Sequence, residues 1–188
     1  MPKVKLQDVR ISFCQSLFEP EQYQGKGPFR HSATFLIEPG SANDKAICAA
    51  ILAAAAEKWP KKAQAMVDGM KGNSNKFCYQ NGDLKDYDGY QGMMYIASHR
   101  KQSDGQPLVI DRNKAPLTAT SGKPYGGCYV NATIDIYAQD GENSGIRAGL
   151  LAVQFLKDGD SFGGASKGKA DDFDDMGEGS DADFDALA

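Results

Sequence analysis

Residues 128–138 read CYVNATIDIYA, and their alternation decides the fold class. Cys128, Val130, Ala132, Ile134, Ile136 and Ala138 share one phase; Tyr129, Asn131, Thr133, Asp135 and Tyr137 share the other. Successive side chains of a strand point to opposite faces, so this repeat of two describes a strand with one face on a core and one toward solvent. Residues 139–145, QDGENSG, are rich in turn formers and lead by a hairpin into 146–157. That second strand is apolar on both faces from Leu150 to Leu156, a pattern that calls for a second cover from a helix or a partner subunit.

Working back toward the N-terminus, residues 3–14 form a strand in which Val4 and Leu6 hold one phase and Val9, Ile11 and Phe13 the other. The switch near Gln7 and Asp8 predicts a bulge or bend, as where a sheet curls into a barrel. Residues 19–28 are a polar loop with two Pro and two Gly. Residues 29–38 form the next strand, with Phe29, Ala33, Phe35 and Ile37 on one face. Ser41 is placed to cap a helix that carries Asp44 in its first turn. Ile47, Ile51, Ala55 and Trp59 make its buried stripe, flanked by Cys48 and Leu52, and Trp59 belongs with this core stripe. A short second helix follows Pro60, over 61–70. Residues 72–92 are irregular, 93–101 and 108–111 are strands, and 112–124 is a loop. Five or six strands with one helical insertion predict a mainly β fold, a small antiparallel barrel of the OB type, with the helix earlier than is usual there. Residues 1–160 would be this domain, and 161–188 a Gly-rich linker and disordered acidic tail.

The charge is divided along the chain. Eight of the 25 acidic residues, and none of the 21 Lys and Arg, lie in 171–188, so residues 1–170 carry +4 while the whole carries −4. The tail, DDFDDMGEGSDADFDALA, holds too little apolar surface to offset the entropy of ordering. A basic body with an acidic tail can bind a polyanion and also carry a mimic of it; a merely solubilising tail is the plainer alternative. At 41% hydrophobic and 10% aromatic, the composition is that of a soluble globular protein. The longest apolar run, 46–56, is too short for a bilayer, and the N-terminus lacks the apolar centre of a signal peptide, so a cytoplasmic protein is expected. Cys14, Cys48, Cys78 and Cys128 form no CxxC pair, and His31 and His99 stand apart from them. Reduced thiols are expected, with no metal site and no cofactor.

Nothing in the chain matches a P-loop, a serine nucleophile elbow or a metal-binding His pair, and no enzymatic activity is expected. Asp83, Asp86 and Asp88 fail as a calcium loop, because the register puts Leu84 and Tyr95 where carboxylates are required. A metal-dependent nuclease built on these acids remains the alternative from another class. Single-stranded nucleic acid needs cations for its phosphates and flat rings for its bases. Residues 76–95 interleave both, and others follow. The candidate contacts are Lys76, Tyr79, Lys85, Tyr87, Tyr90, Arg100, Lys101, Arg112, Lys114, Lys123, Tyr125 and Tyr129. The alternative for about half of these tyrosines is that they close over the core, and for the cations an ordinary solvated surface.

Several stretches resemble the single-stranded DNA-binding proteins of tailed bacteriophages, which pair an OB fold with an acidic C-terminal tail. They are Asn81-Gly82-Asp83 with Tyr87, Gly89, Tyr90 and Gly92; MMYIAS at 93–98; YGGCYVNA at 125–132; and AGLLAVQ at 148–154 with Asp158-Gly159. The resemblance implies sequence-independent binding of single-stranded DNA in phage replication or recombination, inside the bacterial host cell. It also implies a tail that contacts replication proteins such as a polymerase, helicase or recombinase, through Asp171, Asp172, Phe173, Asp174, Asp175, Asp181, Asp183, Phe184 and Asp185. Related tails often end on a bulky aromatic residue, whereas this one ends Ala186-Leu187-Ala188 with Phe184 set back. A strand-annealing or recombination-mediator protein on the same scaffold is a second reading. The apolar final strand adds the expectation of a homodimer.

Overall fold

A computed structural model of the chain describes residues 1–162 and 174–176. The strands are β1 (Lys3–Ser12), β2 (Glu21–Tyr23), β3 (Lys26–Ile37), β4 (Tyr79–Asn81), β5 (Met94–Lys101), β6 (Leu108–Ile110), β7 (Tyr129–Gln139) and β8 (Gly145–Lys157); the helices are α1 (Ala42–Lys58) and α2 (Ala63–Met70). They form one sheet in the order β2-β3-β1-β7-β8-β5-β4, with β6 on β8. A further β3–β5 pairing closes the sheet on itself. The closed circuit β1-β3-β5-β8-β7 is antiparallel throughout except at β5–β8, which runs parallel. That connectivity is the OB barrel, with α1 and α2 inserted between its second and third strands, earlier than usual as the sequence suggested.

Each element follows from local chemistry. β7 behaves as its alternation predicts: Val130, Ala132, Ile134 and Ile136 are buried, and the residues between them are half exposed. In β1 the register slips between Leu6 and Val9, and Asp8 adopts a φ of 53°. This is the bulge read from the phase change. α1 begins at Ser41, whose Oγ accepts the Asp44 N–H at 3.2 Å. Its stripe of Ile47, Ile51, Ala55 and Trp59 is buried, and the helix packs against β1 and β7. Inside the barrel, Ile11, Phe35 and Ile96 stand side by side across β1, β3 and β5, each fully buried, and lock the closure. Among the described residues, no helix is long and apolar enough to cross a membrane.

Four expectations need correction. The polar loop at 19–28 is in part a hairpin, where Glu21 pairs with Arg30 and Tyr23 with Lys26; Gln24 and Gly25 both take positive φ at its tip. Phe29, on its outer arm, is 45% exposed and has left the core face assigned to it. Phe13 takes a φ of 48° at the end of β1, which turns its ring outward, away from Val9 and Ile11. In β8, Thr133 pairs with Ala152 but Ile134 with Leu150, so Leu151 is an extra residue. Ile146, Ala148 and Leu150 face the core before that bulge, and Val153 and Phe155 after it. The strand changes phase where it had read as apolar on both faces, and the pattern on which a homodimer was expected needs no second cover.

Candidate nucleic-acid interface

Paired residues on neighbouring strands point to the same side, so the β3–β5 register maps the outer wall of the barrel. Its successive outward pairs are Leu36 with Tyr95, Thr34 with Ala97, Ser32 with His99, and Arg30 with Lys101. At the rise of a strand, this strip is roughly 20 Å long. One end is cationic. Arg30 and Lys101 are exposed there, and Arg147 reaches in from β8, anchored by bonds from its guanidinium to the Asn75 and Asn143 carbonyls at 2.6 and 3.4 Å. His99 stands among them with one face to solvent. Desolvation by the surrounding strands, then the charges of Arg30 and Arg147, lowers its pKa below the ordinary value. It is therefore neutral at pH 7 and adds charge only on acidification. The exposed rings of Tyr23 and Phe29 lie on the hairpin that extends this end.

The other end is aromatic. Leu36 and Tyr95 are covered by Tyr90, which is 1% exposed and donates its hydroxyl to Ser12 Oγ at 3.1 Å. Burial pushes that hydroxyl up to about 12. Tyr90 meets Tyr87 edge-on at 5.3 Å between centroids, and Tyr87 meets Phe13 at 4.9 Å. Tyr87 and Phe13 are 45% and 43% exposed and open onto a cleft of about 810 Å³. Lys123, Tyr125 and Phe162 line it too, and so do Glu19, Asp86 and Asp88. The strip supplies cations and the cleft supplies rings, a division that suits a strand lying along one and turning its bases into the other.

The residues singled out from sequence are thereby scattered. Tyr87, Lys123 and Tyr125 meet at the cleft, and Lys101 lies on the strip. Arg100 points the other way, beside the buried His31, and its guanidinium holds the Asp104 and Gly105 carbonyls. Lys76 is exposed beyond Arg147, Lys85 is half buried, and Arg112 and Lys114 are exposed in the turn after β6. Tyr129 carries Arg10 and Lys157 over its ring at 5.7 and 4.8 Å. Two stacking candidates have no free face. One is Tyr90. The other is Tyr79, 5% exposed, whose hydroxyl donates to Asp44 Oδ1 at 2.6 Å. Partial burial pushes the Asp44 carboxyl up, but bonds from Tyr79 and the Gly40 N–H hold it below its ordinary value overall. Removing the hydroxyl in Tyr79→Phe is expected to cost about 1–2 kcal/mol of stability by denaturant melt, with oligonucleotide affinity unchanged.

Arg10, Phe13, Tyr23, Phe29, Arg30, His99, Arg147 and Phe162 were absent from the sequence-level candidates. Asp83 has a structural task, accepting the Gly92 N–H at 2.8 Å. Among the described residues, no three His, Cys, Asp or Glu side chains converge to hold a metal. Of the tail candidates, Asp174 and Asp175 are described and exposed. Asp171, Asp172, Phe173, Asp181, Asp183, Phe184 and Asp185 lie outside the described residues, as does the linker from 163.

A family model described as the single-stranded DNA-binding protein of Enterobacter phage Enc34 matches residues 2–184. The chain belongs to that family. A relative of this chain, "Putative protein p50" of Acyrthosiphon pisum secondary endosymbiont phage 1, is 45% identical to it over 177 residues, covering 93% of this chain and 94% of that one. The fold of this chain is similar to that of the Enc34 single-stranded DNA-binding protein solved in complex with single-stranded DNA. The TM-score is 0.70 at 23% identity, over 86% of this chain and 89% of that one. It also resembles gp2.5, a single-stranded DNA binding protein encoded by bacteriophage T7, with a TM-score of 0.57 at 10% identity, over 93% and 98% of the two chains. The OB-like barrel of the Enc34 family is thus the scaffold on which the strip and cleft are built.

Proposed function

We propose that this phage protein coats single-stranded DNA without reading base sequence, in the host cytoplasm, during replication or recombination. The observation that carries this reading is the strip along β3 and β5, cationic at Arg30, Lys101 and Arg147, which leads at its other end to the exposed rings of Tyr87 and Phe13 in the cleft. Phosphates are neutralised at the first end and bases stack toward the second. The shared strand face is also the one on which OB folds take oligonucleotides. In titrations with oligo-dT, oligo-dA and a duplex of equal length, the full chain is expected to bind both single strands and to disfavour the duplex. Preference for duplex, or no binding to oligo-dT at low salt, refutes the reading.

The acidic residues 171–188 have a second part in it. They imitate a phosphate chain, compete weakly for the cations of the free protein, and become available to a polymerase, helicase or recombinase once DNA displaces them. Deleting 171–188 is expected to tighten oligo-dT binding, most at low salt, and to abolish capture of such partners. Equal affinity of the two forms across a salt series removes the competition.

A further inference from the structure

Beyond β8 the chain does not run straight into its acidic segment. Residues 158–162 fold back over β1 and the turn that precedes β7. Tyr125 donates its hydroxyl to Asp158 Oδ1 at 2.7 Å and is within 3.2 Å of the Gly159 N–H. Arg10 donates from Nη2 to the Asp160 carbonyl at 2.6 Å, and the Phe162 N–H donates to the Gly126 carbonyl at 2.9 Å. Space for this crossing is cleared by glycines from three separate loops. A Cβ on Gly127 would stand 2.0 Å from the Asp160 carbonyl oxygen, one on Gly159 2.3 Å from the Gly127 carbonyl oxygen, and one on Gly89 2.6 Å from the Phe162 ring. The ring ends up 4.1 Å from the Arg10 guanidinium carbon, against the Leu36, Tyr90 and Tyr95 cluster, in the wall of the cleft.

We propose that Phe162 occupies a seat for an unpaired nucleobase, and that residues 158–162 are a latch which single-stranded DNA opens. This rests on the function proposed above. A flat ring under a guanidinium is the pairing that a base makes with arginine, and every base has such a face. The seat lies at the aromatic end of the strip, where a strand held by its phosphates at Arg30 and Lys101 turns its bases inward. A base entering it replaces Phe162 on Arg10, frees the Gly126 carbonyl, and releases residues 158–162. Tyr125 then serves as a clamp for the latch, and so does Tyr129, whose ring lies 3.0 Å from where a Gly159 Cβ would stand. Neither is a stacking platform in the closed state.

The test is amide hydrogen exchange on the full chain, free and saturated with oligo-dT, alongside the affinity of Phe162→Ala. The Phe162 amide is expected to lose protection when DNA binds while the Ile134 amide in the barrel keeps it. Phe162→Ala, lacking the competitor for the seat, is expected to bind oligo-dT about three- to tenfold tighter than the parent. Unchanged protection at Phe162 under saturating oligo-dT overturns the latch without the need for any variant, and so does a Phe162→Ala affinity equal to or below the parent's. Failure of the full chain to bind oligo-dT at all overturns the proposed function, a result separate from binding with the latch still closed.

Discussion

Between 50 and 500 mM sodium chloride, the affinity of the full chain for oligo-dT is expected to fall about 600-fold. The figure follows from roughly four phosphates neutralised and a slope of about −0.7 per phosphate for single strands. Four cations face the strip and cleft: Arg30, Lys101, Arg147 and Lys123. Arg30 and Lys101 are the two exposed cations paired directly across the β3–β5 register, so the double substitution Arg30→Ala with Lys101→Ala is the sharper experiment. It is expected to reduce the slope of log affinity against log salt by about 1.4, since two counterions fewer are released. Both side chains are exposed on the outer wall, so the thermal midpoint should stay within a degree or two of the parent's. An unchanged slope in a folded double variant would move the phosphate path off β3 and β5. The cleft could not carry that path by itself, for beside Lys123 it is lined by the acidic Glu19, Asp86 and Asp88.

The largest loss of stability is expected from Phe35→Ala. Phe35 has no exposed surface and joins Ile11 on β1 to Ile96 on β5, across the seam where the barrel closes. Truncating a buried phenylalanine typically costs about 3–5 kcal/mol, through lost transfer energy and the cavity left behind. In a domain of this size that lowers the melting temperature by roughly 10 °C. Phe35→Leu should cost much less, about 1–2 kcal/mol, because most of the volume is retained. Equal melting curves for the alanine and leucine variants would show that the seam carries little of the fold's stability.

The barrel was legible in the sequence because its evidence is periodic. The alternation of β7, the phase slip at Asp8 and the Ser41 cap each have a local cause, and each is found in place. The acidic segment stood out by charge alone. The site was less legible, because an OB surface is assembled from strands far apart in sequence. Arg30 and Lys101 become neighbours only through the β3–β5 register. A stretch dense in tyrosine suggested a row of stacking platforms, yet composition does not tell a ring that faces solvent from one that faces the core. Tyr79 found a carboxylate and Tyr90 a serine, and both went inside, whereas Tyr87 in the same stretch stayed out. Phe13 was misplaced for a different reason: one residue with positive φ reverses the face on which everything after it falls. The bulge at Leu151 hid in the same way, since an extra residue in an apolar strand looks like burial on both sides.

The four cysteines give the protein a practical chemistry. Burial pushes Cys14 and Cys78 up to about 12 and raises Cys128, so these thiols should ignore alkylating reagents at neutral pH. Cys48 is the exposed one among the four, set on α1 beside a groove of about 490 Å³ and pointed at the Asp44 carboxylate. Partial burial, then that negative neighbour, keeps its thiolate scarce. A maleimide dye should therefore couple slowly but at a single place, on a helix that has no part in the β3–β5 wall. A fluorophore there would let oligonucleotide capture be followed on the native sequence, with no engineered handle near the DNA path.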